Sequence, residues 1–333
     1  MKFLTFDHEH RTAQLGMLAP LSGNVINLLD AANDLKLGPD IQSCFQSMES
    51  LIEGGPGALD VASEILHTAN GTQKKWAETS QDDIKWRSPF ITPPQLRDCL
   101  MFEEHLQNAF SMLRKTLADE SEDPVVALQE IESRGLYQIP EVWYQLPIYY
   151  KVNRFSFIGH RENIIWPYYS KKLDFELEFA CVVNRRVKDV SVEEAEDCIF
   201  GYTIYNDVSA RDTQAIEMQG QLGPSKGKDF DTGNILGPVI VTADEVDPRN
   251  MTMIARINGE QWCKGNSGDS RWTFPQLIAH ISKSETLMPG ELIGSGTVGW
   301  GSGIEHGRFL KPGDTIELEV EGIGTLINTV ITG

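Results

Sequence analysis

The run DFELEFACVV, residues 174–183, constrains the fold more than any other stretch of the chain. Phe175, Leu177 and Phe179 alternate with Asp174, Glu176 and Glu178, which is the pattern of a β-strand. Side chains two apart on a strand project to the same face, about 6.5 Å from each other. One face is therefore apolar and the other carries three carboxylates in a row. Neighbouring carboxylates repel, and burying them is costly unless something positive lies between them. Either this face is a solvated sheet edge, or it is built around a cation.

Strand-like stretches punctuated by glycine fill the chain from residue 151 onward: FGYTIYNDVSA, ILGPVIVTADEV, MIARING and DTIELEVEGIGTLINTVI. The first 85 residues combine a short strand, MKFLTF, with two helical patterns, IQSCFQSMESLIEGG and ALDVASEILHTANG, each ending at glycine. Between them, residues 86–150 open on prolines that predict a helix from about Pro94 through Arg114. The acidic ADESED, a further helical piece and the aromatic, proline-rich YQIPEVWYQLPIYYK follow.

With 29 Lys and Arg against 48 Asp and Glu, the net charge of −19 argues against nucleic acid or an anionic membrane surface as partner. Excess acid also serves solubility alone. Five scattered cysteines (Cys44, Cys99, Cys181, Cys198, Cys263) form no C-x-x-C pair and read as reduced thiols. The polar start MKFLTFDHEH lacks the apolar run of a secretory signal, and no stretch has the roughly 18 apolar residues of a membrane span. A soluble, cytoplasmic protein is expected.

A second strand-like stretch, GYTIYNDVSARDTQ, ends its apolar run at Asp207, with Arg211, Asp212 and Gln214 close behind. Carboxylates without Cys or His at ligand spacing suit a hard cation, Mg²⁺, Ca²⁺ or Mn²⁺. Arg211, Gln214 and Lys228, the last in GKDFDTGNILGP, could hold a carboxylate or enolate oxygen beside such a cation, or simply pair with local acids at the surface. His105 follows Asp98 by seven residues, two turns along the expected helix, so a ligand and a base would share one face. GSGTVG, residues 294–299, matches a dinucleotide fingerprint, but no helix pattern follows to receive a pyrophosphate, and that reading is rejected.

DFELEFACVV, GYTIYNDVSARDTQ, KGKDFDTGNILGP, INGE, TLMPGELIGSGTVG and LKPGDTIELEVEGIGTLIN, in this order, resemble the fumarylacetoacetate hydrolase family over about residues 90–333. The resemblance implies an α+β chain: a C-terminal mixed β-sandwich roll, residues 89–333, behind a smaller N-terminal α/β domain, residues 1–88. Residues 106–150 would be a branch-specific insertion or lid. The family is usually homodimeric and binds Mg²⁺ or Ca²⁺. The resemblance implies a metal set of Asp98, Glu176, Glu178 and Asp207, with His105 as base. Lys228, Arg211 and Gln214 would bind substrate or oxyanion, and Tyr150 and Thr297 would contact substrate. Glu305 would orient the histidine, although His306 stands beside it. Small acylpyruvases carry glutamate three residues after the histidine, where this chain has Asn108, so the arrangement looks closer to fumarylacetoacetases.

The expected activity is metal-dependent hydrolysis of a C–C bond in a β-diketo acid, an acylpyruvate or a fumarylacetoacetate-like acid. Decarboxylation, hydration or isomerisation of a 2-oxo acid such as oxaloacetate is the enzymatic alternative. A non-catalytic small-molecule-binding protein of the same fold is the alternative from another class.

Overall fold

The computed structural model describes residues 1–71 and 78–333. A 12-stranded sheet is its backbone. At the centre, Leu177–Val183, Ile199–Asp207 and Asn234–Thr242 pair antiparallel. On one side Lys2–His8 adds to Asn234–Thr242, so the N-terminal strands continue the same sheet. On the other side Leu292–Gly294 pairs with Leu177–Val183, and Leu96–Cys99 then joins it in parallel, with Asp98 opposite Gly294.

Both faces of the central strand are covered, which is why its run of apolar residues becomes continuous after Glu178. Leu177, Phe179, Cys181 and Val183 enter one core. Ala180 and Val182 enter the other, together with Leu51, Ile52, Ala62 and Ile65 from the helical span Met48–Gly71. That span bends at Gly55, whose φ of 62° is left-handed, immediately before Pro56. Proline lacks the N–H that would continue the ladder, and glycine takes the left-handed turn without a Cβ clash.

A five-stranded sheet closes the opposite face, in the order Glu260–Asn266, Thr252–Ile257, Thr315–Val320, Gly324–Thr332, Asn163–Trp166. Met253, Ala255 and Ile257 alternate inward and meet Ile316, Leu318 and Val320 in one core, the period-two signature of a sheet with one wet face. The helix Phe274–Ile281 packs into this core as well, started by a reciprocal cap between Thr273 and Gln276. The architecture is the expected α+β arrangement with a large mixed sheet. Among the described residues, no helix is long and apolar enough to cross a membrane.

One expectation is corrected. Residues 94–114 are not a single helix: Leu96–Cys99 is a strand, and the helix runs Glu103–Asp119. Local patterning favoured a helix, but the backbone of 96–99 finds partners on both sides, in Leu292–Gly294 and in Tyr149–Lys151, and all four of its residues are buried. Asp98 and His105 therefore do not share a helical face.

Candidate active site

The acidic face is fully enclosed, so the solvated-edge alternative fails. Glu178 and Asp207 are 0 % exposed, and Asp98 only 5 %. Asp98 arrives on the strand Leu96–Cys99, Glu178 on the central strand, and Asp207 at the end of Ile199–Asp207. An oxygen from each of these three carboxyls lies within 4.8 Å of the others. Gly294 makes room for them, because a Cβ there would sit 2.6 Å from Asp98 Oδ1.

Burial, and then the neighbouring Asp207, pushes Asp98 up to about 8. Burial, then Asp98 and Glu176, raises Glu178 well above the carboxylate range. Asp207 is also raised by burial, although Lys228 pulls the other way. Glu176 behaves oppositely: burial opposes its charge, but Arg211 and Lys228 outweigh it and hold the carboxyl low. Arg211 Nη2 donates to Glu176 Oε1 at 2.7 Å. Lys228 Nζ donates to Asp207 Oδ2 at 2.6 Å and to Glu176 Oε2. For Lys228 burial works against the ammonium, yet Asp207 and Glu176 prevail and its pKa rises.

The donor set fits a divalent cation. Asp98, Asp174, Glu176, Glu178 and Asp207 are five buried carboxyls facing two buried cations, Arg211 and Lys228. Asp98 Oδ1 and Asp207 Oδ1 are buried without a hydrogen-bond partner. Oxygen-only donors with unpartnered lone pairs and surplus negative charge are what Mg²⁺, Mn²⁺ or Ca²⁺ take.

His105 occupies the first turn of the helix Glu103–Asp119, buried, with Nε2 3.9 Å from Glu176 Oε1. Its Nδ1 lies 3.0 Å from Glu305 Oε2, close enough for an ion pair but without the geometry of a directed hydrogen bond. Glu305 is itself 2 % exposed and fixed by four donors. These are Trp300 N at 2.7 Å, Ser302 N at 3.0 Å, Ser302 Oγ at 2.9 Å and Asn108 Nδ2 at 3.2 Å. His306 points elsewhere, its Nε2 3.0 Å from the Trp300 carbonyl.

The remaining sequence-selected residues gather at the same place. Tyr150 donates to Asp207 Oδ2 at 2.7 Å, Thr297 to Glu178 Oε1 at 3.3 Å, and Gln214 Oε1 accepts from Arg211 Nη1 at 3.0 Å. The rejected GSGTVG motif has a different use: the Gly296 N–H donates to Glu178 Oε2 at 3.0 Å. Asp174, read from the sequence only as one acid in the row, accepts from Arg211 Nε at 2.8 Å and caps the turn that carries Glu305. Nothing in local sequence marks it, because its partners are 37 and 129 residues away.

Fold and site together describe a closed carboxylate cluster, with a cation pair and a His–Glu pair at its border, on the face of the large sheet that it shares with Leu96, Ala180, Val182 and Tyr205. Residues 126–331 match the family model of the fumarylacetoacetate (FAA) hydrolase C-terminal domain, and the chain belongs to that family. Asp98 and His105 lie upstream of the matched segment. An uncharacterized protein of Methanocaldococcus jannaschii is 38 % identical over 193 residues, 58 % of this chain and 75 % of its own length. The mitochondrial oxaloacetate tautomerase FAHD2A of Bos taurus is 37 % identical over 189 residues, 56 % of this chain and 59 % of its own length. Among solved structures, the 2-hydroxyhepta-2,4-diene-1,7-dioate isomerase from Mycobacterium marinum has a TM-score of 0.56 at 27 % identity, covering 75 % of this chain and 79 % of that one. Maleylpyruvate hydrolase from Sphingobium sp. SYK-6, in complex with manganese(II) ion and pyruvate, has a TM-score of 0.70 at 20 % identity over 100 % of both chains, a likeness of fold.

Proposed function

We propose that this chain is a divalent-metal-dependent hydrolase that cleaves a C–C bond in a β-diketo acid, an acylpyruvate or a fumarylacetoacetate-like acid. The observation that carries the reading is the His105–Glu305 pair, 3.0 Å apart, at the border of the buried carboxylate cluster. Asp98, Glu176, Glu178 and Asp207 would hold Mg²⁺, Mn²⁺ or Ca²⁺. The cation would supply Lewis acidity, polarising a substrate carbonyl. His105 then takes a proton from water at Nε2, with Glu305 on Nδ1 holding the ring and stabilising the imidazolium. The hydroxide adds to the carbonyl carbon, and the C–C bond breaks with its electron pair leaving as a carbanion whose charge moves onto oxygen. Lys228, Arg211 and Gln214 donate to the developing oxyanion and the substrate carboxylate, Tyr150 and Thr297 would contact the substrate beside them, and a proton returns to carbon.

A second reading has its own support. A His–Glu pair that shuttles a proton without activating water would catalyse tautomerisation, isomerisation or decarboxylation of a 2-oxo acid, and relatives of this chain carry tautomerase and isomerase names. The experiment is a panel of acetylpyruvate, fumarylacetoacetate and oxaloacetate with Mn²⁺ or Mg²⁺, with and without chelator. Metal-dependent release of pyruvate plus the matching acid from a diketo acid is the expected result. Turnover of oxaloacetate alone, with no acid released from either diketo acid and with that turnover lost in His105→Ala, would replace the hydrolase with the second reading.

A further inference from the structure

Asp174 is 0 % exposed and makes four contacts with its two carboxylate oxygens. Oδ1 accepts from Gly303 N at 2.7 Å and Phe175 N at 2.9 Å, and Oδ2 from Ile304 N at 3.0 Å and Arg211 Nε at 2.8 Å. Gly303 and Ile304 open the turn Gly303–His306, which carries Glu305. Arg211, from its other edge, holds Glu176. The contacts therefore close a ring. His105 lies between Glu305 on Nδ1 and Glu176 on Nε2, and Asp174 ties the turn of the first to the guanidinium that fixes the second.

The approach of backbone to carboxylate is close enough to demand glycine. A Cβ on Gly303 would lie 2.5 Å from Asp174 Oδ1 and 2.2 Å from the Arg308 carbonyl oxygen. Glu305's own hydrogen bonds tie it to the helix Glu103–Asp119, which carries His105, through Asn108 alone. Three of its four donors belong to Trp300 and Ser302 of the same loop, and the fourth is Asn108.

We propose that Asp174 is a positioning residue, which sets the distance between Glu305 and His105 by locking the turn Gly303–His306 to Arg211. The proposal rests on the reading of His105 as the base. Two substitutions open the lock from opposite sides. Asp174→Asn keeps the shape but retains one acceptor oxygen in place of two, so its amide faces either the Gly303 and Phe175 N–H groups or the Ile304 N–H and Arg211, and each orientation sets a donor against one N–H of the turn. Gly303→Ala leaves Asp174 and Arg211 paired and pushes the turn away.

Hydrogen exchange reads the lock without any substrate. In both variants the amides of Gly303 and Ile304 should exchange about tenfold faster, while those of Leu177–Val183 stay unchanged. Unchanged exchange at the turn in both variants overturns the proposal. Turnover of acetylpyruvate with Mn²⁺ supplies the second arm as a double-mutant cycle. Asp174→Asn should lower kcat about tenfold alone but less than about twofold in a Glu305→Gln background, since it acts through Glu305. A full further loss in that background would mean a structural role only. Full activity of His105→Ala would instead remove the reading of the base, and leave the exchange result to decide whether the lock exists.

Discussion

At the residue scale, the site is governed by which carboxyls have a cation and which do not. Glu176 has two, Arg211 and Lys228, and is held ionised. Glu178 has none among the side chains that contact it and is pushed up by burial and by Asp98. Lys228 bridges these two environments through Asp207, so removing it should affect chemistry and leave the oxygen cluster in place. Lys228→Ala is expected to lower kcat by about two to three orders of magnitude, as loss of an oxyanion donor does, with Mn²⁺ still bound in a calorimetric titration. Unchanged turnover would strip Lys228 of its role. Most of these residue types were legible, since an alternating acid pair and an Asp at a strand end suit a hard cation once the face that carries them is buried. Thr297 and Tyr150 were expected beside substrate, and they donate to Glu178 and Asp207.

At the element scale, the decisive arrangement is three strands meeting side by side. Leu96–Cys99 and Leu177–Val183 both pair with the short strand Leu292–Gly294, and Gly294 is the spacer that lets Asp98 reach Glu178 and Asp207. Gly294→Ala should displace Asp98 and weaken Mn²⁺ binding by about tenfold or more, the scale seen when the support of a metal ligand is disturbed, as electron paramagnetic resonance of free Mn²⁺ would report. Affinity equal to the unsubstituted chain would show that Asp98 contributes no ligand. The helix expected over 94–114 was wrong for a related reason. Pairing between residues nearly 200 apart set the backbone of 96–99, and no local window contains that partner. Asn108 was legible as a departure from the acylpyruvase pattern, and it donates to the Glu305 that comes from the far end of the chain.

At the scale of the whole molecule, two buried groups give stability opposite dependences on pH. His160 joins the N-terminal segment to the five-stranded sheet. Its ring packs edge-on to Trp86 at 4.9 Å, and its Nδ1 accepts from Ile327 N at 3.1 Å. Burial, helped by Arg161, lowers its pKa to about 4. The unfolded chain, with an ordinary histidine near 6.5, then binds more protons between those values, so stability falls as pH drops from about 6.5 to 4, by up to about 3 kcal/mol. Asp98 acts in reverse: its raised folded pKa stabilises the metal-free protein in acid, and this is lost as pH rises from about 4 through 8. Urea denaturation of His160→Asn beside the unsubstituted chain should show a flatter acid limb, and an identical limb would refute the role of His160. Because the cation must displace the proton held by Asp98, the rise in Tm on adding Mn²⁺ should be larger at pH 8 than at pH 6. An equal rise at both would contradict a shared proton site.

The order and chemistry of the residues made the strand Leu177–Val183 and a run of hard-cation donor types legible, because both depend on residue type and on a period of two, although Glu176 falls just before that strand, in a lone bridge to Ser302. The chain's long-range pairings settled the rest: that the acidic face is enclosed, that Asp98 comes on a strand, and that Glu305 meets His105 from 200 residues away. Asp174 belongs with these, since a carboxylate that links Arg211 to a distant turn has no signature until both partners are folded against it. Local pattern is fixed by backbone geometry within a few residues. Burial and partner choice are properties of the folded whole.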